Sequence, residues 1–417
     1  MTQTPDERAL RIDPGLDKTI RVAPRPSAGS ASPWARASTT HGVPGTEPAP
    51  PVAARPRTAR RSALAGIAVI LGCLASVAAS ARPFTDAAGR TVEIPDRVAR
   101  VLAAGPPASV LLYSLAPGRM VGWVRAPSPE ERPYLAPETR DLPATGRLTG
   151  RGGTANVEAV LALKPDLIVD VGSTGPTYAS LADRVQAQTG IPYVILDGTF
   201  AKTGEAYRQL GDLIGERSAA EALATYADAT LKDVTETLAA VPEARRPRVY
   251  SARGPRGLET ALAGSLNAEL LDVVGARNVA VAAGQGGLAT VSPEQVLAWN
   301  PDVIVTQDPA FRRAVATDPL WAGVKAVRDG RVIQAPTLPF GWFDAPPGAN
   351  RLIGVRWLAG ALYPDLFPQP LAEVTRDFYR RFYHVELDAA QAAALLDGAV
   401  SPQGPTPHGP TPHGPTP

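Results

Sequence analysis

At 417 residues with 44% hydrophobic content, the chain is long enough for two domains of ordinary size with real cores. Its 42 Lys and Arg against 40 Asp and Glu leave a net charge of +2, which gives no electrostatic footprint for nucleic acid. The single cysteine, Cys73, excludes an intramolecular disulfide.

In chain order, residues 1–62 are rich in Pro, Ala, Ser, Thr and Arg with no sustained hydrophobic period. Such a composition buries too little apolar surface to offset chain entropy, so a disordered leader is expected. Arg57, Arg60 and Arg61 then precede an apolar run over residues 63–81 that ends in small residues, the basic, apolar, small order of a secretory signal. The run is also near the lower length limit for an uncleaved bilayer-spanning anchor. Ile70-Leu71-Gly72-Cys73 offers a third reading, lipidation at Cys73, although Leu71 is large for its place and a lone Cys in an apolar run is ordinarily a small hydrophobe. Each of these readings exports the body from the cytoplasm.

An N-terminal α/β lobe is expected over residues 84–217. Val98-ARVLA reads as a strand that runs into Gly105 and Pro106, and Arg151 stands in the glycine stretch Gly150-RGG. Asn156-VEAVLALKPDLIV then encodes a helix capped by Asn156, a stop at Pro165 and a short buried parallel strand, after which comes Ser173. Open α/β sheets hold ligands beyond the C-terminal ends of their strands, which makes Gly105, Pro106, Arg151 and Ser173 candidates for lining a cleft. Over residues 218–242, Leu223, Ala227, Leu231, Val234, Leu238 and Val241 recur at gaps of three and four, and Pro242 and Pro247 close the pattern. A single long helix is expected to join two lobes.

The C-terminal lobe, residues 247–400, opens on Arg248-VYSARG, where Arg253 stands at the predicted end of a strand and Arg256 just beyond it. Ser292-PEQVLAWNPDVIV repeats the first-lobe segment, with Glu294 at the place of Glu158 and Pro301 at that of Pro165. Two similar lobes follow from this duplication. After the strand Val332-IQA comes Thr337-LPFGWFDAPPGANRLIG, the chain's richest stretch for recognising a ligand. There Trp342 and Phe343 are candidates to pack on a chelate face, against the bland reading that they plug a core. Arg351 is a candidate to pair with an anionic group, with Asp344 orienting it. Residues 401–417 close in a Gly-Pro-Thr-Pro-His repeat expected to be an extended tail, in which His408 and His413 make only a weak metal site.

Within the body there is one histidine, His384, and no cysteine, so Ser-His-Asp and Cys-His arrangements lack parts. The glycine stretches continue into no Gly-Lys-Ser/Thr and make no GxGxxG between strand and helix. No catalytic residues, resident cofactor or bare metal site are expected. An α/β enzyme holding a cofactor in a two-lobed cleft is the alternative from another class.

FTDAAGRTVEIPDRVARVLAAGP, the paired NVEAVLALKPDLIV and SPEQVLAWNPDVIV, and DPLWAGVKAVRDGRVIQAP together resemble the helical-backbone (class III) periplasmic substrate-binding proteins of ABC importers, the family that serves iron-siderophore, haem and vitamin B12 uptake. The resemblance spans about residues 84–364. It implies two Rossmann-like lobes joined by a single long helix, a ligand cleft between them, a modest closing motion, and a monomer that serves a permease dimer in the inner membrane. It also implies that Glu158 and Glu294, one per lobe, dock onto arginine pockets of that dimer, although a helix dipole alone favours an acid at either place. Relatives that bind naked zinc or manganese use His and carboxylate clusters missing from this body. The expected solute is therefore an iron complex or related metal chelate, with an oxyanion such as molybdate as the alternative.

Overall fold

The computed structural model of the chain describes residues 81–149, 153 and 155–397. The expectations for the leader, the apolar run before Ala81, Cys73, Arg151 and the tail with His408 and His413 fall outside the described residues. Among the described residues no helix is long and apolar enough to cross a membrane.

An antiparallel hairpin of β1 (Ala81–Thr85) and β2 (Thr91–Pro95) opens the fold. Its turn is built on Asp86, whose carboxylate accepts from the Ala88, Arg90 and Ile195 backbone N–H groups and pairs with Arg90 at 2.9 Å. Lobe 1 follows with β3 (Val101–Ala103), α1 (Pro106–Leu115), α2 (Val157–Ala162), β4 (Leu167–Gly172), α3 (Pro176–Thr189), β5 (Tyr193–Asp197) and α4 (Thr203–Ile214). Its sheet is parallel, in the order β3-β4-β5. The run of apolar, β-branched residues in β4 is buried on both faces, as a central parallel strand must be.

Helix α5 (Arg217–Ala239) is the expected connector, and it buries Leu223, Ala227, Leu231, Val234 and Leu238 along one stripe. It stops short of the predicted end, leaving Val241 half-buried in the turn that Pro242 opens. Lobe 2 carries β6 (Arg248–Ala252), β7 (Glu259–Ala261), α6 (Glu269–Val273), β8 (Arg277–Asn278), β9 (Leu288–Thr290), α7 (Pro293–Trp299), β10 (Val303–Thr306), α8 (Pro309–Ala314), α9 (Lys325–Arg328) and β11 (Val332–Gln334). Its four-stranded parallel sheet runs β11-β10-β6-β8, with β7 and β9 forming a small antiparallel pair alongside.

The internal repeat is as close in structure as in sequence. The Asn156 side chain caps α2 by accepting from Glu158 N at 2.9 Å, and Ser292 caps α7 in a reciprocal box with Gln295. Each copy is then closed by a non-glycine residue of positive φ, Lys164 at 46° and Asn300 at 43°, ahead of a proline and the buried strand.

The chain returns through α10 (Arg351–Leu362), which packs on α5, and then α11 (Leu371–Phe378), a π turn at Tyr379–Tyr383 and α12 (Ala389–Leu396). This last stretch leans on lobe 1, where Tyr113 Oη donates to the Tyr383 carbonyl at 2.5 Å and His384 Nε2 lies 3.1 Å from the Ser114 carbonyl. Val101 and Leu167 of lobe 1 consequently share one hydrophobic core with Val249 and Val303 of lobe 2.

Candidate functional site

The cleft is assembled from the strand ends of lobe 1. Where β3 finishes, the Ala104 carbonyl accepts from Leu148 N at 2.8 Å and Thr149 N at 3.3 Å, which lays the segment carrying Arg147 beside it. Gly105 is required at this junction, because a Cβ there would sit 2.7 Å from Thr149 Oγ1. Helix α1 begins at once with Pro106 and Pro107, which bring no N–H groups, so its first turn offers a dipole with few donors. One turn in, Ser109 is buried at 4% exposure, and its hydroxyl has no hydrogen-bond partner among the described residues.

Ser109 lines a cleft with about 550 Å³ of open space, together with Pro106, Trp123, Arg125 and Arg147 of lobe 1 and Pro339, Phe340 and Pro346 from the loop after β11. The Phe340 ring lies 6.0 Å from that of Trp123 and 5.9 Å from that of Tyr113, so aromatic packing carries the floor across the lobe boundary. Arg125 is engaged by Glu131 through two hydrogen bonds, one at 2.7 Å, and that bonding pushes the guanidinium pKa up. Two guanidinium groups, those of Arg125 and Arg147, therefore stand in the cleft lining, the first of them partly neutralised by Glu131.

Of the residues singled out from sequence, Pro106 lines this cleft and Gly105 shapes its wall. Ser173 lies half-buried past the end of β4, where its hydroxyl accepts from Gly175 N at 3.3 Å, away from the cleft lining. Trp342 and Phe343 are 0% and 1% exposed within the core, because the loop turns inward and leaves Phe340 facing the opening. Asp344 does not orient Arg351. Its buried carboxylate pairs with Arg253 and accepts from Gln307 Nε2 at 2.6 Å, binding the ends of β6 and β10 to the loop. Burial pushes the Asp344 pKa up, against the pull of Arg253. Arg351 is itself 1% exposed and spent on Leu266 O at 2.7 Å, Glu269 Oε2 at 2.8 Å and Gly198 O at 3.2 Å, a bolt between lobes rather than a cleft-facing cation.

Sequence reading missed Ser109, Arg125, Arg147 and Phe340. A usable signal existed for Ser109 alone. It is the first polar interruption of an apolar helix, one turn past the end of a strand, where a ligand-facing side chain of an α/β fold belongs.

Asp170 supports the wall from beneath. Its carboxylate accepts from Thr149 Oγ1 and Tyr193 Oη, each at 3.2 Å, and from Val171 N at 2.9 Å. Burial raises its pKa despite these bonds, so the folded chain holds the proton more tightly than the unfolded chain. Stability must then fall as pH rises from the unfolded carboxylate range, about pH 4, through the folded value. Asp170→Asn is expected to resist urea better than the parent at pH 7.5, with the difference closing toward pH 4. Parallel urea titrations at the two pH values check this, and a variant weaker than the parent at pH 7.5 would give the bonds, and not the buried charge, the larger weight.

Among the described residues no group of three or more His, Cys, Asp or Glu side chains is placed to hold a metal ion. A family profile described as periplasmic binding protein matches residues 112–337, more than half of the chain. The molybdate-binding protein MolA of Haemophilus influenzae is 29% identical over 356 residues, spanning 78% of this chain and 98% of the relative. Its molybdate-bound structure superposes with a TM-score of 0.62 at 27% identity, covering 74% of this chain and 99% of that one. An ABC transporter solute-binding protein from Sulfurospirillum deleyianum gives a TM-score of 0.70 at 29% identity, covering 76% and 99%.

Proposed function

The chain belongs to the periplasmic binding protein family of ABC transporters, and from that premise we propose that it captures a compact oxyanion such as molybdate outside the cytoplasm and hands it to its importer. The observation that carries this reading is the buried, unpartnered Ser109 hydroxyl in the cleft wall. A hydroxyl without an acceptor is costly when buried, and a doubly charged tetrahedral anion supplies an acceptor. The positive end of the α1 dipole and the Arg147 guanidinium favour the same charge. The molybdate-bound relative supports the choice.

A metal chelate is the second reading, favoured by the aromatic wall of Trp123 and Phe340. Calorimetric titration of the full-length protein with molybdate, tungstate, sulfate, ferric citrate, haem and cobalamin separates the two. Molybdate and tungstate are expected to bind, and Ser109→Ala is expected to weaken them about tenfold or more, the usual loss of a hydrogen bond to a charged group. Binding of a chelate with no response to any oxyanion would overturn the first reading in favour of the second.

Delivery requires docking on the membrane permease. Glu158 and Glu294 are exposed in the first turns of the matched helices α2 and α7, and neither forms an ion pair among the described residues. In this reading they meet cationic pockets on two like permease subunits, one acid per lobe.

A further inference from the structure

Leu161 and Leu297 occupy the same place in the internal repeat, three residues after Glu158 and Glu294. They are 41% and 45% exposed, while their neighbours Val160 and Val296 are buried at 1% and 0%. From the glutamate to the positive-φ residue that closes each helix, every position of one copy is as buried or exposed as its counterpart in the other. One exposed leucine on a surface needs no explanation. Two at the same site of a repeat, in the same relation to an exposed acid, do.

Both leucines stand outside the buried hydrophobic clusters of the described residues, so the fold leaves a large part of each apolar side chain uncovered. Leu297 does rest on Gly323, where an added Cβ would come within 2.8 Å of its Cδ1, so its outward placement is a supported one. Residues three apart on a helix are surface neighbours, and each lobe thus presents an acid and an apolar knob side by side.

We propose that Leu161 and Leu297 are the apolar anchors of the docking surface, each entering a hydrophobic hollow beside the permease cation that receives Glu158 or Glu294. This rests on the importer reading above. An apolar group seated next to an interfacial ion pair excludes water from it and strengthens it. The occupant is a pair of like permease subunits and not a second copy of this chain, because contact between copies through these faces would set acid against acid.

The test uses the full-length protein and the permease–ATPase complex of its importer in nanodiscs, with affinity measured over a range of salt concentrations. Leu161→Ala and Leu297→Ala are each expected to weaken docking about tenfold, and the double variant on the order of 100-fold, as sites far apart add. Thermal midpoint and solute affinity should match the parent, and the salt dependence should persist. Leu161→Met with Leu297→Met should restore most of the affinity, since methionine refills an apolar hollow. The Glu158→Ala, Glu294→Ala protein serves as the reference, expected to dock weakly with little salt dependence. Parental docking by the leucine pair beside weak docking by the glutamate pair would overturn the anchors and leave the docking acids standing. Parental docking by both pairs would overturn the docking face altogether. Self-association of the parent that the leucine changes abolish would assign these faces to a second copy and overturn the proposal.

Discussion

Arg351→Met is expected to lower the unfolding free energy by about 3–5 kcal/mol while changing solute affinity little, because this arginine is a buried member of an ion pair and not a wall of the cleft. Its guanidinium donates to Glu269 Oε2 at 2.8 Å and Leu266 O at 2.7 Å in lobe 2, and to Gly198 O at 3.2 Å in lobe 1, while lying 4.5 Å over the Phe200 ring. Glu269 in turn accepts from Phe200 N at 3.0 Å, so the pair is tied to both lobes. Burial pushes the arginine pKa down, yet a guanidinium remains charged at any pH the fold survives. Removing it strands the Glu269 carboxylate and leaves two carbonyls without their donor. Arg351→Lys should recover only part of the loss, as an ammonium cannot span both lobes with a planar fork. Urea denaturation at neutral pH alongside solute titration checks the result. Parental stability with lost solute binding would return Arg351 to the cleft-facing role its sequence context suggested.

The same bolt bears on mechanism. The lobes share a core, the C-terminal stretch crosses from lobe 2 onto α1, and Arg351 spans the boundary where the lobes meet. These contacts oppose the swinging of one lobe away from the other.

What was legible in the sequence followed from local physics. Helix α5 could be read because a buried stripe at gaps of three and four needs no distant partner to define it. The strands β4 and β10 could be read because a run of apolar residues between a proline and a turn has few other fates. The duplicated helices could be read because capping residue, acid and stop recur in order. The loop from Thr337 to Asn350 could not. Its aromatic residues carry no period, so nothing local distinguishes Phe340, which faces the cleft, from Trp342 and Phe343, which are buried. The partners that fix the polar groups are remote: Arg253 meets Asp344, and Arg351 meets Glu269 and Gly198. A charged side chain declares its type in sequence, but whether it faces solvent or closes a gap depends on partners far away along the chain.

The double change Glu158→Ala with Glu294→Ala is expected to leave solute affinity within about twofold of the parent while cutting uptake by reconstituted importer to roughly a tenth or less. Both acids stand in the first turn of a helix, and in lobe 2 the Ser292 hydroxyl holds the Glu294 carboxyl below its usual pKa, keeping it ionised. Neither lines the cleft, which is why capture should survive. Delivery should not, because two weak contacts presented on one rigid body act together: once one lobe is seated, the other is held at high effective concentration over its site. Each single change should therefore cost about half of the double in logarithmic terms, the remaining acid still seating its own lobe. The competing account is local, since a carboxylate in the first turn is favoured by the helix dipole whatever the protein does. That account places the effect in stability, and it would apply equally to any helix of the chain without requiring the acid to recur at matched places in both lobes. Melting curves recorded with the uptake assay separate the two. A lowered midpoint with parental uptake would assign both acids to their helices, whereas lost uptake at an unchanged midpoint assigns them to the permease.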